Sequence, residues 1–96
     1  MAHGYADQKP QLVKRLHRIE GQVRGIERMV EEDRYCIDIL TQIGAVSTAL
    51  ESLAVTILDE HANHCVADAI ASGDEKAARE KTEELLAAVR RFARTR

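Results

Sequence analysis

Two cysteines and one histidine have the residue types and the spacing of a metal site. His61 and Cys65 are four residues apart, so on a helix their side chains lie on one face. Cys36 precedes His61 by 25 residues, and at about 100° per residue it falls on that same face. Two thiolates and an imidazole are soft ligands that suit copper(I), zinc or, with added ligands, nickel.

The distance along the chain predicts that two protomers share this site. On one straight helix, Cys36 and His61 would be about 37 Å apart, which no single ion can bridge. If two such helices cross antiparallel near residues 49–50, Cys36 of one meets His61 and Cys65 of the other, and the two-fold axis creates two identical sites. At this point the alternative of two buried cysteines and an incidental histidine stays open.

Helical segments that position these residues can be read from the apolar periodicity. We predict a single all-α domain over residues 1–96, with helices at about 9–32, 35–71 and 75–94. Asp7 is the expected N-cap of the first helix, and Ser72-Gly73-Asp74 is the expected break before the third. Stripes with 4-3 spacing run along the first two helices: Leu12, Leu16, Ile19, Val23, Ile26 and Val30, then Ile39, Ile43, Val46, Leu50, Leu53 and Ile57.

The length of the second helix predicts an oligomer. Its 37 residues would span about 55 Å, whereas a compact chain of 96 residues has a radius of gyration of about 12–13 Å. The helix would protrude from a monomer with its apolar stripe uncovered, so we expect second helices to pack on one another.

Composition narrows the class of protein. The sequence has two cysteines and no Trp. It has no run of about 18 apolar residues and no apolar signal region near its start, so we expect a cytoplasmic protein that does not enter a membrane. No phosphate loop, Ser-His-Asp arrangement or carboxylate pair is readable, which argues against an enzyme.

Charge is unevenly distributed along the chain. Residues 1–28 carry six Lys and Arg against three Asp and Glu, residues 29–89 carry four against thirteen, and residues 90–96 add four Arg. Lys14, Arg15 and Arg18 lie within one turn of each other and can form a basic patch for DNA phosphates. A solvated helix face is the alternative, and the C-terminal arginines are a weaker second candidate.

The chain resembles the copper-sensitive operon repressor family of metalloregulators. The segments that carry the resemblance are RLHRIEGQVRGIERMVEEDRYCIDILTQI, residues 15–43, and LDEHANHCVADAI, residues 58–70. The resemblance implies an antiparallel helical-bundle dimer that assembles into a flat tetramer without a helix-turn-helix. It implies copper(I) bound by Cys36 of one protomer and by His61 and Cys65 of its neighbour, and DNA bound by Lys14, Arg15 and Arg18.

Further roles follow from the same resemblance. Tyr35 and Glu84 match positions that form hydrogen bonds reaching the liganding histidine, with Glu83 as an adjacent alternative to Glu84. Nickel-sensing members add an N-terminal histidine ligand, which makes His3 a possible extra ligand here.

The function implied is a repressor that binds operator DNA without metal and leaves it when copper(I) binds, which derepresses copper-resistance genes. Implied partners are operator DNA, other copies of the chain and a copper chaperone that donates the metal. A nickel-responsive repressor of the same family and a cytosolic copper buffer are the alternatives, although a buffer has no use for the basic patch.

Overall fold

The computed structural model describes residues 5–94 and, for side chains, residues 5–93. This part of the chain is all-helical, as predicted, with three helices and no strand: α1 (Lys9–Glu31), α2 (Cys36–Ala71) and α3 (Glu75–Arg94). A short 3₁₀ turn, Ala6–Gln8, precedes α1. The observed helix ends differ from the predicted ones by no more than one residue.

No side-chain hydrogen bond caps the N-terminal end of α1, and backbone hydrogen bonds close its C-terminal end. The prediction that Asp7 is the N-cap is wrong, because Asp7 lies inside the 3₁₀ turn and Gln8 takes the cap position without a side-chain hydrogen bond. At the other end, the Arg34 N–H donates to the Met29 carbonyl and the Asp33 N–H to the Val30 carbonyl. Asp33 has φ 55°, so it adopts the left-handed conformation that usually favours Gly at this position.

The second helix changes its hydrogen bonding near its C-terminal end. It is α-helical over Cys36–Glu60, π-helical over His61–Val66 and α-helical again over Ala67–Ala71. The Ala67 N–H donates to the carbonyl of Ala62, five residues earlier. Such wide turns are rare inside helices and are often found at functional sites.

The turn between α2 and α3 has the predicted caps. Gly73 has φ 78°, a conformation that costs glycine little because it lacks a Cβ. The Asp74 carboxylate accepts hydrogen bonds from the Lys76 and Ala77 N–H groups at 3.0 and 3.2 Å, which satisfies two of the free donors at the start of α3.

The chain forms two compact units. One comprises Asp7–Val55, and the other comprises the described residues from 56 onward with residues 5 and 6. Leu12, Ile19 and Leu53 are buried in the first unit, and Val66 is buried in the second. Few side chains are thus withdrawn from water in one chain.

The apolar stripes are covered on one side only. Along α1 and α2, every second member of the 4-3 pattern is buried or half-buried, and the members between them are exposed. The exposed members have relative accessibilities between 39% and 58%. They are Leu16, Val23 and Val30 on α1 and Ile43, Leu50 and Ile57 on α2. One chain therefore covers half of each stripe and leaves the other half exposed.

By length and composition alone, α2 has the properties of a helix that could cross a membrane. An 18-residue window of Cys36–Ala71 has a mean hydropathy of 1.3, and 11% of it is buried. The mean reaches this value although the sequence has no continuous run of about 18 apolar residues, because a mean over a window tolerates the scattered Ser, Thr and Gln residues that interrupt such a run.

Candidate metal centre and nucleic-acid interface

The π-helical segment carries two of the three predicted metal ligands. His61 is its first residue and Cys65 its fifth, and both are partly exposed. Val66, next to Cys65, is buried at 8% accessibility, so the segment is anchored by packing immediately beside the thiol. Cys65 is a free thiol. An imidazole and a thiol are therefore presented together on a segment with widened helical turns.

Cys36 is the first residue of α2, and its free thiol is exposed. Among residues 5–94, no group of three or more Cys, His, Asp or Glu side chains is placed to hold one metal ion within a single chain. Two sulfur donors and one imidazole nitrogen nevertheless fit a soft metal ion such as copper(I). Within the described part of one chain, these three donors therefore do not form a metal site together.

Glu84, which lies on α3, contacts the histidine of this pair. Its Oε1 is 3.9 Å from His61 Nε2, with side-chain accessibilities of 57% for Glu84 and 29% for His61. Its other oxygen is 3.8 Å from Lys81 Nζ. Because 3.9 Å is longer than a hydrogen bond, the contact is an ion pair when His61 is protonated.

The neighbouring Glu83 faces elsewhere. It borders an open hollow at the turn between α2 and α3, together with Gly73 and Asp74. Of the two adjacent glutamates, only Glu84 lies within ion-pair distance of His61 in the described part of the chain.

Tyr35 and two further histidines, His64 and His17, are more exposed than His61. Tyr35 precedes Cys36, its carbonyl accepts the Asp38 and Ile39 N–H groups, and its residue accessibility is 66%. His64 Nε2 lies 3.0 Å from Glu60 Oε2, one turn earlier in the helix. His17 is exposed. His3 lies outside the described residues.

The predicted basic patch lies on the N-terminal half of α1. Lys14 and Arg18 are exposed, and Arg15 between them is half-buried. Arg15 Nη2 donates a hydrogen bond of 3.0 Å to Ser52 Oγ on α2, across 37 residues of sequence. Sequence reasoning missed Ser52. The only available signal was its position next to Leu53 in the apolar stripe.

The C-terminal arginines are only partly described. Arg90 and Arg91 are exposed on α3. The side chain of Arg94 and all of Arg96 lie outside the described residues.

Similarity to known proteins covers nearly the whole chain. A profile of the family described as metal-sensitive transcriptional repressors matches residues 8–91. The copper-sensing transcriptional repressor RicR of Mycobacterium tuberculosis is 56% identical over 94 residues, which are 98% of this chain and 97% of RicR.

Two solved structures are also similar. One is the copper-sensing repressor CsoR with Cu(I) from Geobacillus thermodenitrificans NG80-2, with a TM-score of 0.84 and 47% identity over 91% of this chain and 88% of that one. The other is the nickel-responsive transcriptional regulator InrS, with a TM-score of 0.76 and 43% identity over 86% and 90% of the two chains. Because these matches extend over nearly the whole chain, it belongs to the family of metal-sensitive transcriptional repressors.

Proposed function

We propose that the protein is a copper(I)-responsive repressor, which binds operator DNA without metal and releases it when copper(I) binds. The observation that carries this proposal is the ligand set. His61 and Cys65 lie together on the π-helical segment, and Cys36 is a second free thiol in the same chain. Soft sulfur ligands select copper(I) over harder ions. The similarity to two repressors named as copper-sensing supports the same metal.

The proposed site is shared between protomers. One protomer contributes Cys36, and its partner contributes His61 and Cys65. Support comes from the lack of a three-donor group in the described part of one chain. Support also comes from the continuity of α2, because one helix carries all three residues between Cys36 and Ala71. Antiparallel pairing of two such helices makes two equivalent sites by symmetry.

The exposed half of each apolar stripe is proposed to cover its counterpart in another copy, giving an antiparallel dimer and then a flat tetramer. The interior of a lipid bilayer is a poorer environment for α2 than the surface of a second copy. Glu51 lies near the middle of Cys36–Ala71, and a carboxylate at the centre of a bilayer costs roughly 2.5–3.5 kcal/mol or more. We therefore place the protein in the cytoplasm, where a copper chaperone is the proposed metal donor.

Glu84 is proposed to orient the liganding histidine. A histidine that binds a metal through one ring nitrogen usually has its other ring nitrogen held by a carboxylate or carbonyl. His61 Nε2 faces Glu84, which leaves Nδ1 for the metal. Tyr35, next to Cys36, is proposed to join the same hydrogen-bonded arrangement when protomers assemble.

Lys14, Arg15 and Arg18 are proposed to contact DNA phosphates. The chain has a net charge of −2, so a basic surface has to come from local concentration of these residues. A tetramer repeats the patch four times, and phosphate contacts by Lys and Arg supply most of the affinity of such surfaces. A copper buffer, the alternative function, does not need this patch.

One experiment decides between the proposed function and its alternatives. Purified protein is titrated anaerobically with copper(I), nickel(II) or zinc(II) at buffered free-metal concentrations, and operator binding is measured by fluorescence anisotropy in the same samples. We expect copper(I) to release DNA at much lower free concentration than the other metals. Release by nickel at lower free concentration would make the protein a nickel sensor, and His3→Ala would then test the N-terminal ligand. Failure to bind DNA in any state would favour a buffer.

The shared site is tested by subunit exchange. Cys36→Ala protein is mixed with protein carrying His61→Ala and Cys65→Ala, and neither parent should bind copper(I) tightly. Hybrid dimers should recover one intact site each. If hybrids form, as shown by native mass spectrometry, and binding does not return, the site is not shared in this way.

A further inference from the structure

We propose that Ser52 is a positioning residue for DNA binding, which holds the Arg15 guanidinium in the orientation that meets a DNA phosphate. This inference rests on the proposed DNA-binding function. The observation behind it is the 3.0 Å hydrogen bond from Arg15 Nη2 to Ser52 Oγ. Both residues belong to the same compact unit, and the bond connects α1 to α2.

The bond to Ser52 is compatible with phosphate binding by Arg15. A serine hydroxyl is neutral, so this bond does not offset the charge of the guanidinium. Guanidinium has five N–H donors. The bond to Ser52 uses one of these donors, and Arg commonly binds phosphate through two parallel hydrogen bonds.

Holding the side chain in advance favours binding. Arg has several rotatable bonds, and ordering such a side chain on binding costs about 1.5–2 kcal/mol of conformational entropy. Arg15 is half-buried, whereas Lys14 and Arg18 on the same patch are exposed. Part of the ordering of Arg15 is thus completed in the free protein, which lowers the entropic cost of the DNA complex.

Packing restrains the backbone that carries the exposed Ser52 side chain. Ser52 is followed by Leu53, which is buried at 5% accessibility, so packing restrains the backbone at this point of α2. The same helix continues to His61 and Cys65. The bond therefore connects a side chain of the basic patch on α1 to the part of α2 that belongs to the same compact unit.

The test measures apo-protein affinity for operator DNA over a range of salt concentrations. Ser52→Ala should weaken binding about fivefold for each protomer that contacts DNA, the net value of one typical hydrogen bond. It should leave the salt dependence unchanged because no charge is removed. Ser52→Thr keeps the hydroxyl and should restore affinity. Ser47→Ala, at an exposed serine of the same helix, is the matched control and should bind like wild type.

Arg15→Ala separates the failure of this inference from that of the proposed function. It should weaken binding and reduce the slope of log affinity against log salt by about 0.9 for each phosphate that the protein no longer neutralises. In the Arg15→Ala background, Ser52→Ala should have no further effect. If Arg15→Ala weakens binding but Ser52→Ala does not, or if the two effects are additive, Ser52 has no positioning role. If Arg15→Ala binds like wild type, the proposed DNA surface is itself wrong. Equal copper(I) stoichiometry and thermal midpoint in all variants verify that the fold is retained.

Discussion

Glu84→Ala should separate metal binding from DNA release. The Glu84 carboxylate is 3.9 Å from His61 Nε2 and is 57% exposed, so its direct interaction with the imidazole is screened by water. Lys81 Nζ lies 3.8 Å from the other carboxylate oxygen and competes for the same charge. We therefore expect the variant to lose little copper(I) affinity.

The larger effect should be on the coupling between sites. Allosteric coupling free energies are typically about 1–3 kcal/mol, which corresponds to about a 5- to 150-fold change in DNA affinity on metal binding. If Glu84 transmits the metal-bound orientation of His61 to α3, Glu84→Ala should remove most of that factor. Apo operator affinity should stay near that of wild type, because Glu84 is not part of the basic patch on α1.

Glu83→Ala is a closely matched control. It removes the same charge from the neighbouring position, but Glu83 borders the hollow at the α2–α3 turn. Copper(I) affinity is measured by competition with a chromogenic chelator, and operator affinity by anisotropy with and without copper(I), on one preparation of each variant. Full copper-dependent release by Glu84→Ala, or equal loss in Glu83→Ala, would refute the proposed relay through Glu84.

Other substitutions test the assembly, the turns and the basic patch. Leu50→Lys places a charge on the exposed half of the α2 stripe and should dissociate the oligomer in sedimentation velocity, whereas Thr41→Lys, on the opposite side of the helix, should not; an intact Leu50→Lys oligomer would contradict the proposed seam. Asp33→Gly should raise the free energy of unfolding by about 1 kcal/mol, because it relieves a left-handed conformation that costs a non-glycine residue roughly 1–2 kcal/mol. Gly73→Ala should lower the free energy of unfolding by a similar amount. Thermal midpoints at one protein concentration verify both signs, and unchanged midpoints would show that these turns are not strained. Arg18→Ala should weaken operator binding and reduce its salt slope by about 0.9 for each phosphate left without its cation, and an unchanged slope would place Arg18 outside the DNA interface.

Much of the secondary structure could be predicted because it depends on local signals. The 4-3 spacing from Leu12 to Val30 and from Ile39 to Ile57 is sufficient to predict two helices. Gly73 and Asp74 have intrinsic preferences for the end and the start of a helix, and the structure confirms both. The prediction that Asp7 is the N-cap was wrong because a 3₁₀ turn, Ala6–Gln8, precedes the helix, so that Gln8 and not Asp7 lies directly before Lys9.

The ligand pair could be recognised for a similar reason. Residues four apart share a face on a helix whatever the rest of the chain does, so His61 and Cys65 were identified from their spacing. Cys36 was added by counting turns, and its role in a shared site stays a prediction. The choice between Glu83 and Glu84 required the path of the turn near Gly73, which sequence spacing does not define.

Local sequence thus determined the helices, the caps at the turn between α2 and α3, the pair His61 and Cys65, and the cluster of basic residues on α1. Only the tertiary structure decided which half of each apolar stripe is buried, that His61–Val66 is π-helical, that Glu84 faces His61, and that Arg15 bonds to Ser52. The physical reason is the range of the interactions. Helix periodicity and capping act within about four residues, whereas the last two contacts join residues 23 and 37 positions apart and depend on how whole helices pack.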